Sequence, residues 1–223
     1  MSQLPPAPFN IPLLKGALVA IDDSTQQTSV IAFQFNPATL RRKLEPFTVG
    51  GQPGDRTELP RYAGAPAETI DVQIQVDATD GLADSSASAA AYGVLPQLAA
   101  IELLIFPTSS QVIQAETQLS SGAIEILPMT APRILFVWGP NRVLPVRIVS
   151  YGVTEELFDQ SLNPLRATVD LSLRVLTYSD VPQSDPDYHQ FLAYQQELER
   201  VSQLALSSVR TGSTVTGVDI SSL

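Results

Sequence analysis

The chain has 223 residues, no cysteine, and a formal net charge of −10 from 13 basic and 23 acidic side chains. That composition excludes disulfides, thiolate nucleophiles and cysteine-ligated zinc, and it argues against a nucleic-acid surface, which needs clustered Lys and Arg to displace counterions. The length suffices for one sizeable core or two small ones, the hydrophobic content of 44% is ordinary for a globular protein, and no window approaches the roughly 18 consecutive apolar residues of a membrane span.

Met1-Ser2-Gln3-Leu4-Pro5-Pro6 lacks both a charged leader and a continuous apolar segment, so a soluble protein made in the cytoplasm, with no direct membrane insertion, is expected. The proline-rich residues 1–13 are expected to form an extended arm. Two apolar-rich runs, Leu14 to Ile21 and Thr28 to Phe35, flank the polar stretch Asp22 to Gln27 and predict a hairpin. Ile31, Phe33 and Phe35 alternate with Ala32 and Gln34, which places Phe33 and Phe35 in the core, and Asn36-Pro37 ends the strand because Pro37 has no N–H for a ladder. A third strand covers Lys43 to Val49, and Gly50-Gly51-Gln52-Pro53-Gly54-Asp55 is a loop.

Ile70, Val72, Ile74 and Val76 alternate with Asp71, Gln73, Gln75 and Asp77, a half-buried strand with one wet face. Ala89 to Phe106 carries apolar residues at helical spacing, interrupted by Pro96, so a helix is expected mainly after that proline, and Pro107 to Pro132 is expected to be a connection. Ile134 to Trp138 and Val143 to Val153 form a second hairpin around Gly139-Pro140-Asn141-Arg142, with an exposed tip expected at Asp159 to Pro164. Leu165, Ala167, Val169, Leu171, Leu173 and Val175 alternate with polar residues in a strand long enough for a barrel or a strongly twisted sheet. Finally, Ser184-Asp185-Pro186 opens an amphipathic helix whose stripe is Tyr188, Phe191, Tyr194, Leu198, Val201 and Ala205, followed by a Gly/Ser/Thr tail from Thr211. Three regions follow: arm 1–13, β-domain 14–178, and helix with tail 179–223.

No catalytic, metal or cofactor-binding constellation emerges. Asp22-Asp23 and Glu155-Glu156 are neighbours at turns or strand ends, where charges are solvated, and the single histidine, His189, has no His or Cys companion. The glycines after Val49 lack the spacing and the lysine of a phosphate loop.

Phe33-Gln34-Phe35-Asn36-Pro37-Ala38-Thr39-Leu40, Phe136-Val137-Trp138-Gly139 and Pro164-Leu165-Arg166-Ala167-Thr168-Val169 occur in this order and together resemble one family, the tube-type domain of contractile injection systems, over about Leu14 to Tyr178. The resemblance implies a mainly β (α+β) fold, an antiparallel tail-tube-like β-barrel with a flanking helix. It also implies a structural, non-enzymatic role as tube initiator: a homo-hexameric baseplate ring joining the spike hub to the inner tube, in contact with baseplate and sheath proteins. On it, Phe33, Phe35, Asn36, Pro37, Leu40, Phe136, Trp138, Gly139, Leu165, Arg166 and Ala167 are architectural residues. Members often carry a LysM module after the tube domain, for which the residues after Tyr178 are too few, so the helix bearing Tyr188, Phe191, Tyr194, Leu198 and Val201 takes its place as a docking element. Deleting everything after Asp180 is then expected to leave a folded β-body. Polar strand residues such as Asp71, Gln73, Gln75, Asp170 and Ser172 would suit a lumen. Two other readings stand beside this one: the major inner-tube subunit, and a monomeric β-barrel binding a small ligand or glycan through Trp138, Tyr62 and Tyr92.

Overall fold

The computed structural model describes residues 14–22, 27–50, 61–120 and 131–209, with side chains to Ala205. The N-terminal arm, the glycine-rich loop after Gly50 and the tail from Thr211 lie outside the described residues. The elements are β1 (Ala17–Ile21), β2 (Thr28–Ala32), β3 (Leu40–Glu45), β4 (Thr48–Val49), β5 (Arg61–Tyr62), β6 (Ala67–Asp77), α1 (Thr79–Ala83), α2 (Ala87–Tyr92), α3 (Leu95–Glu102), α4 (Ser109–Ser120), β7 (Arg133–Val137), β8 (Val143–Phe158), β9 (Pro164–Val175) and α5 (Pro186–Val209). Seven strands make one antiparallel sheet in the order β2-β1-β7-β8-β9-β6-β3, and β4 pairs with β5 separately.

Period-two alternation gives this sheet one apolar face. Leu18, Ile70, Ile74, Phe136, Leu144, Val169 and Leu173 are fully buried on it, joined by Leu98 and Ile101 of α3 and by Phe191 and Tyr194 of α5. Burying a side chain such as Phe136 or Leu144 stabilises the fold by about 1.5–3 kcal/mol. A bulge between Ile148 and Ser150 divides β8. Leu144 and Val146 before it point into the core, whereas residues 152–158 beyond it are exposed.

The antiparallel, mainly β body agrees with expectation, but the sheet is not a closed barrel among the described residues. β3 pairs with β6 only from Leu40↔Val72 to Glu45↔Ala67, and β2 has β1 as its one strand neighbour. The gap is bridged by a side chain: the Gln34 amide donates to the Asp77 carbonyl at 2.9 Å and accepts from the Asp77 N–H at 2.8 Å. One carboxamide thus stands in for one rung of a β-ladder.

Three local expectations change. Phe35 is 48% exposed and outside the core. β2 ends at Ala32, so strand parity does not extend to Phe35. Pro46 splits the expected third strand into β3 and β4, because it cannot donate to a ladder. Helix α4 occupies part of the expected connection; no residue of it is buried, so it leaves no apolar stripe to read. Its signature is instead a capping box, in which the Gln111 N–H donates to Thr108 Oγ1 and the Thr108 N–H to Gln111 Oε1, both at 3.3 Å.

Candidate functional site

The three sequence motifs converge on two adjoining junctions. At the first, the Phe33 N–H donates to the Gly16 carbonyl at 2.8 Å. The Asn36 amide completes the ladder beside it, accepting from the Gly16 N–H at 2.9 Å and donating to the Leu14 carbonyl at 2.8 Å. Phe33 lies 6.5 Å from Phe136, which stacks on Trp138 at 5.9 Å with their planes 16° apart. These rings press on Gly16, where an added Cβ would meet Phe33 and Trp138 at 2.8 Å. Gly139 then turns the chain with φ 76°, a conformation open to glycine at no steric cost. Pro37 is half-buried, and half-buried Leu40 packs on the core where β3 begins.

The second junction is Asp77. Its backbone takes the Gln34 amide, and its carboxylate accepts from the Arg166 guanidinium at 2.7 and 2.8 Å and from the Thr79 hydroxyl and N–H. The Thr79 hydroxyl and then its N–H hold the Asp77 carboxyl below its usual range, with lesser help from Arg166 and against the cost of desolvation. Leu165 accepts from the Ala78 N–H at 2.8 Å, and Ala167 is fully buried. Gly16, Gln34 and Asp77 were not singled out by sequence reasoning, since Gly16 meets Phe33 17 residues on, Gln34 meets Asp77 43 residues on, and Asp77 meets Arg166 89 residues on; only Gln34, inside the first motif, offered a local signal.

The outward face of β3, β6, β9 and β8 is polar. Ser172 donates to Asp71 at 2.7 Å and Gln73 to Asp170 at 2.8 Å, bordering an open depression of about 380 Å³ that also includes Thr39, Arg41 and Ser150. Its charges and amides largely satisfy one another, and no group of three or more His, Asp or Glu able to hold a metal occurs among the described residues. The face suits a wet, non-adhesive wall.

Helix α5 divides in two. In its first half the buried Asp187 carboxylate accepts from Arg133 at 2.6 and 3.0 Å, Gln190 donates to the Val143 carbonyl at 3.1 Å, and Phe191 meets Tyr178 edge-on at 5.7 Å. Tyr188 also packs on Tyr178. Arg42 bridges the buried Glu68 carboxylate at 2.6 Å and the Tyr194 hydroxyl at 2.8 Å, and the Glu68 bond raises the Arg42 pKa. Phe191 and Tyr194 therefore belong to this chain's own core. In the second half, Leu198 is 47% and Val201 42% exposed. His189 is exposed against the Tyr188 ring. Trp138 faces the aromatic cluster, while Tyr62 and Tyr92 are exposed on separate elements.

The model of the contractile injection system tube protein family matches residues 13–180. Among solved structures, a chain described as the tail of an empty GTA particle, computed with helical refinement in C6 symmetry, aligns with a TM-score of 0.29 and 12% identity over 72% of this chain and 90% of that one. No curated protein matches.

Proposed function

Because the chain belongs to the contractile injection system tube protein family, with a structural role in a phage-tail-like particle, we propose that it forms a six-membered baseplate ring joining the spike hub to the inner tube. The observation that carries this reading is the sheet left open at β2 and β3. Thr28, Ser29 and Val30 expose an edge with neither proline nor charge, whereas the β3 edge carries Arg41 and Lys43. An unguarded edge invites strand addition, and joining unlike edges from copy to copy is a heterologous contact that closes into a ring. The polar face around Asp71, Gln73, Asp170 and Ser172 lines the lumen. The chain acts without catalysis or cofactor, contacts no nucleic acid and enters no membrane; it is made and assembled in the cytoplasm. No helix among the described residues is long and apolar enough to cross a membrane.

Leu198 and Val201 dock the ring on hub or sheath proteins. Truncation after Asp180 is unsuitable as a test, because it strips Phe191 and Tyr194 from the core and leaves Arg133 without Asp187. Leu198→Asp/Val201→Asp instead should leave thermal unfolding unchanged and reduce incorporation into particles; undiminished incorporation would remove the docking role. Electron imaging of particles carrying a labelled copy tests the position. Six copies beside the spike are expected, and many copies along the tube would make this the major tube subunit.

A further inference from the structure

Phe35 belongs to the first motif, yet its side chain is not spent on this chain's own core. β2 ends at Ala32, and the residues on either side of Phe35 are anchored by their carboxamides, Gln34 on both backbone groups of Asp77 and Asn36 on Gly16 and Leu14. So held, the Phe35 ring lies 48% exposed over the outward face of the sheet. With Gln75, Asp77, Glu156, Arg166 and Thr168 it borders an open depression of about 410 Å³.

Two depressions of similar size therefore lie on one face, and they differ in what their side chains have left to offer. Around Asp71 and Asp170 the polar groups are spent on one another, Ser172 on Asp71 and Gln73 on Asp170. Around Phe35 they are not. Gln75 stands opposite Thr168, and Glu156 opposite Arg166, in the strand ladders. The Arg166 guanidinium turns to Asp77 instead, at 2.7 and 2.8 Å, and the two charges cancel. That leaves the Gln75 amide, the Thr168 hydroxyl and the Glu156 carboxylate without a partner among the described residues, beside an exposed aromatic ring.

Those groups match the chemistry of an extended polypeptide. A carboxamide and a hydroxyl together offer donors and acceptors to a main chain. The ring takes the aliphatic stem of a long side chain, and its face attracts a cation placed within about 6 Å of the ring centre. Glu156 is the unpaired charge of the depression, and it is negative, so a basic side chain is attracted and an acidic one repelled. Because the Gln34 and Asn36 anchors fix the backbone beforehand, little order is lost on binding.

We propose that the Phe35 depression holds an extended segment of another polypeptide, with an arginine or lysine laid across the ring and its charge on Glu156. This inference rests on the ring reading for the partner's place and goes beyond it in naming the contact. On that reading the outward face lines the lumen, so the segment belongs to a chain held in the channel and not to a copy of this one. Each copy then sets one Phe35 into a wall that is otherwise polar, and contacts that are weak singly add up around the channel.

The test titrates the purified full-length chain with acetyl-Ala-Arg-Ala-amide and with acetyl-Ala-Glu-Ala-amide, read from the backbone amide signals of Gln75 and Thr168 in NMR. The arginine peptide is expected to shift both signals saturably, with a Kd on the order of millimolar, and the glutamate peptide to bind about tenfold more weakly. Phe35→Ser and Glu156→Gln should each weaken the arginine peptide about two- to fivefold, with the spectrum unchanged away from the depression. An equal response to the two peptides, a response that does not saturate, or variants that bind as wild type does would overturn the site, whatever the oligomeric state. In assembled particles, a photo-reactive phenylalanine analogue in place of Phe35 is expected to cross-link to a different polypeptide. Cross-links only to copies of this chain, or none, would overturn the channel partner. With six copies imaged beside the spike, that failure leaves the ring reading standing, whereas absence of the ring removes that reading without touching the peptide titration.

Discussion

The β8–β9 and β4–β5 arms are both hairpins that expose aromatic or aliphatic side chains, yet they are stabilised at different points. The β8–β9 arm is locked at its tip: Asp159 gathers the turn amides, and the Val94 N–H donates to the Pro164 carbonyl at 2.9 Å, so the junction of α2 and α3 clamps the turn. The β4–β5 arm is locked at its root, where Arg42, Glu68 and Tyr194 tie β3 and β6 to α5, and beyond Glu45 it has a two-residue ladder. The difference teaches that equal exposure does not mean equal order. A tip fixed by side-chain caps can present a surface without losing entropy on binding.

The largest effect should come from Gly93→Ala, which attacks the tip's clamp. Gly93 has φ 58°, and a Cβ there would meet the Pro164 carbonyl oxygen at 2.1 Å, so backbone must move. A loss of about 3 kcal/mol is expected in urea unfolding, together with loss of order from Leu157 to Pro164. A loss below about 1 kcal/mol would mean that the tip is not clamped. Next is Glu68→Ala, which attacks the other arm's root by leaving the half-buried Arg42 guanidinium without its carboxylate. About 2–3 kcal/mol should be lost, with partial recovery in Arg42→Met/Glu68→Met, where both charges go together.

Leu162→Gly sharpens the contrast in the opposite direction. Relief of the left-handed φ of 64° should stabilise the isolated chain by about 0.5–1 kcal/mol in urea unfolding, a gain that simple damage to the fold would not produce. Tyr62→Ala on the β4–β5 arm should change stability by less than about 0.5 kcal/mol, since an 84% exposed ring buries little. The smallest effect is local and depends on pH. Hydrogen bonds from Asn163, its side chain first, hold the Asp159 carboxyl below its usual range. A depressed acid stabilises the folded turn above its unfolded pKa, and that contribution disappears as pH falls through the folded one. Protection of the Ser161 and Asn163 amides against hydrogen exchange, taken relative to the intrinsic rate at each pH, should therefore fall on acidification below the ordinary carboxylate range, and unchanged protection there would remove Asp159 from the lock.

Much of the fold was legible because it is periodic. The faultless alternation of Ile70 to Val76 and of Leu165 to Val175 placed two central strands on the right face, and Pro186 marked where α5 begins. Helix α4 was not legible by the same criterion, since a helix that buries nothing has no stripe, although its Thr108 and Gln111 capping box was there to read. The aromatic stripe of α5 was visible as a whole. Its division, with Phe191 and Tyr194 in the core and Leu198 and Val201 outside, depends on where the sheet stops beneath the helix.

By itself, the amino-acid sequence determined the strand faces, the hairpin turns, the absence of thiol chemistry and the three ordered motifs that point to a tube-type body. Tertiary structure alone decided that the sheet stays open at β2 and β3, that the Gln34 amide spans the gap to Asp77, and that Phe35 leaves the core. The physical reason is range. Alternation and turn chemistry act between residues a few positions apart, whereas an edge or a bridging amide exists only once strands 40 to 100 residues apart have paired, as Gln34 with Asp77 and Asp71 with Ser172 show at separations of 43 and 101.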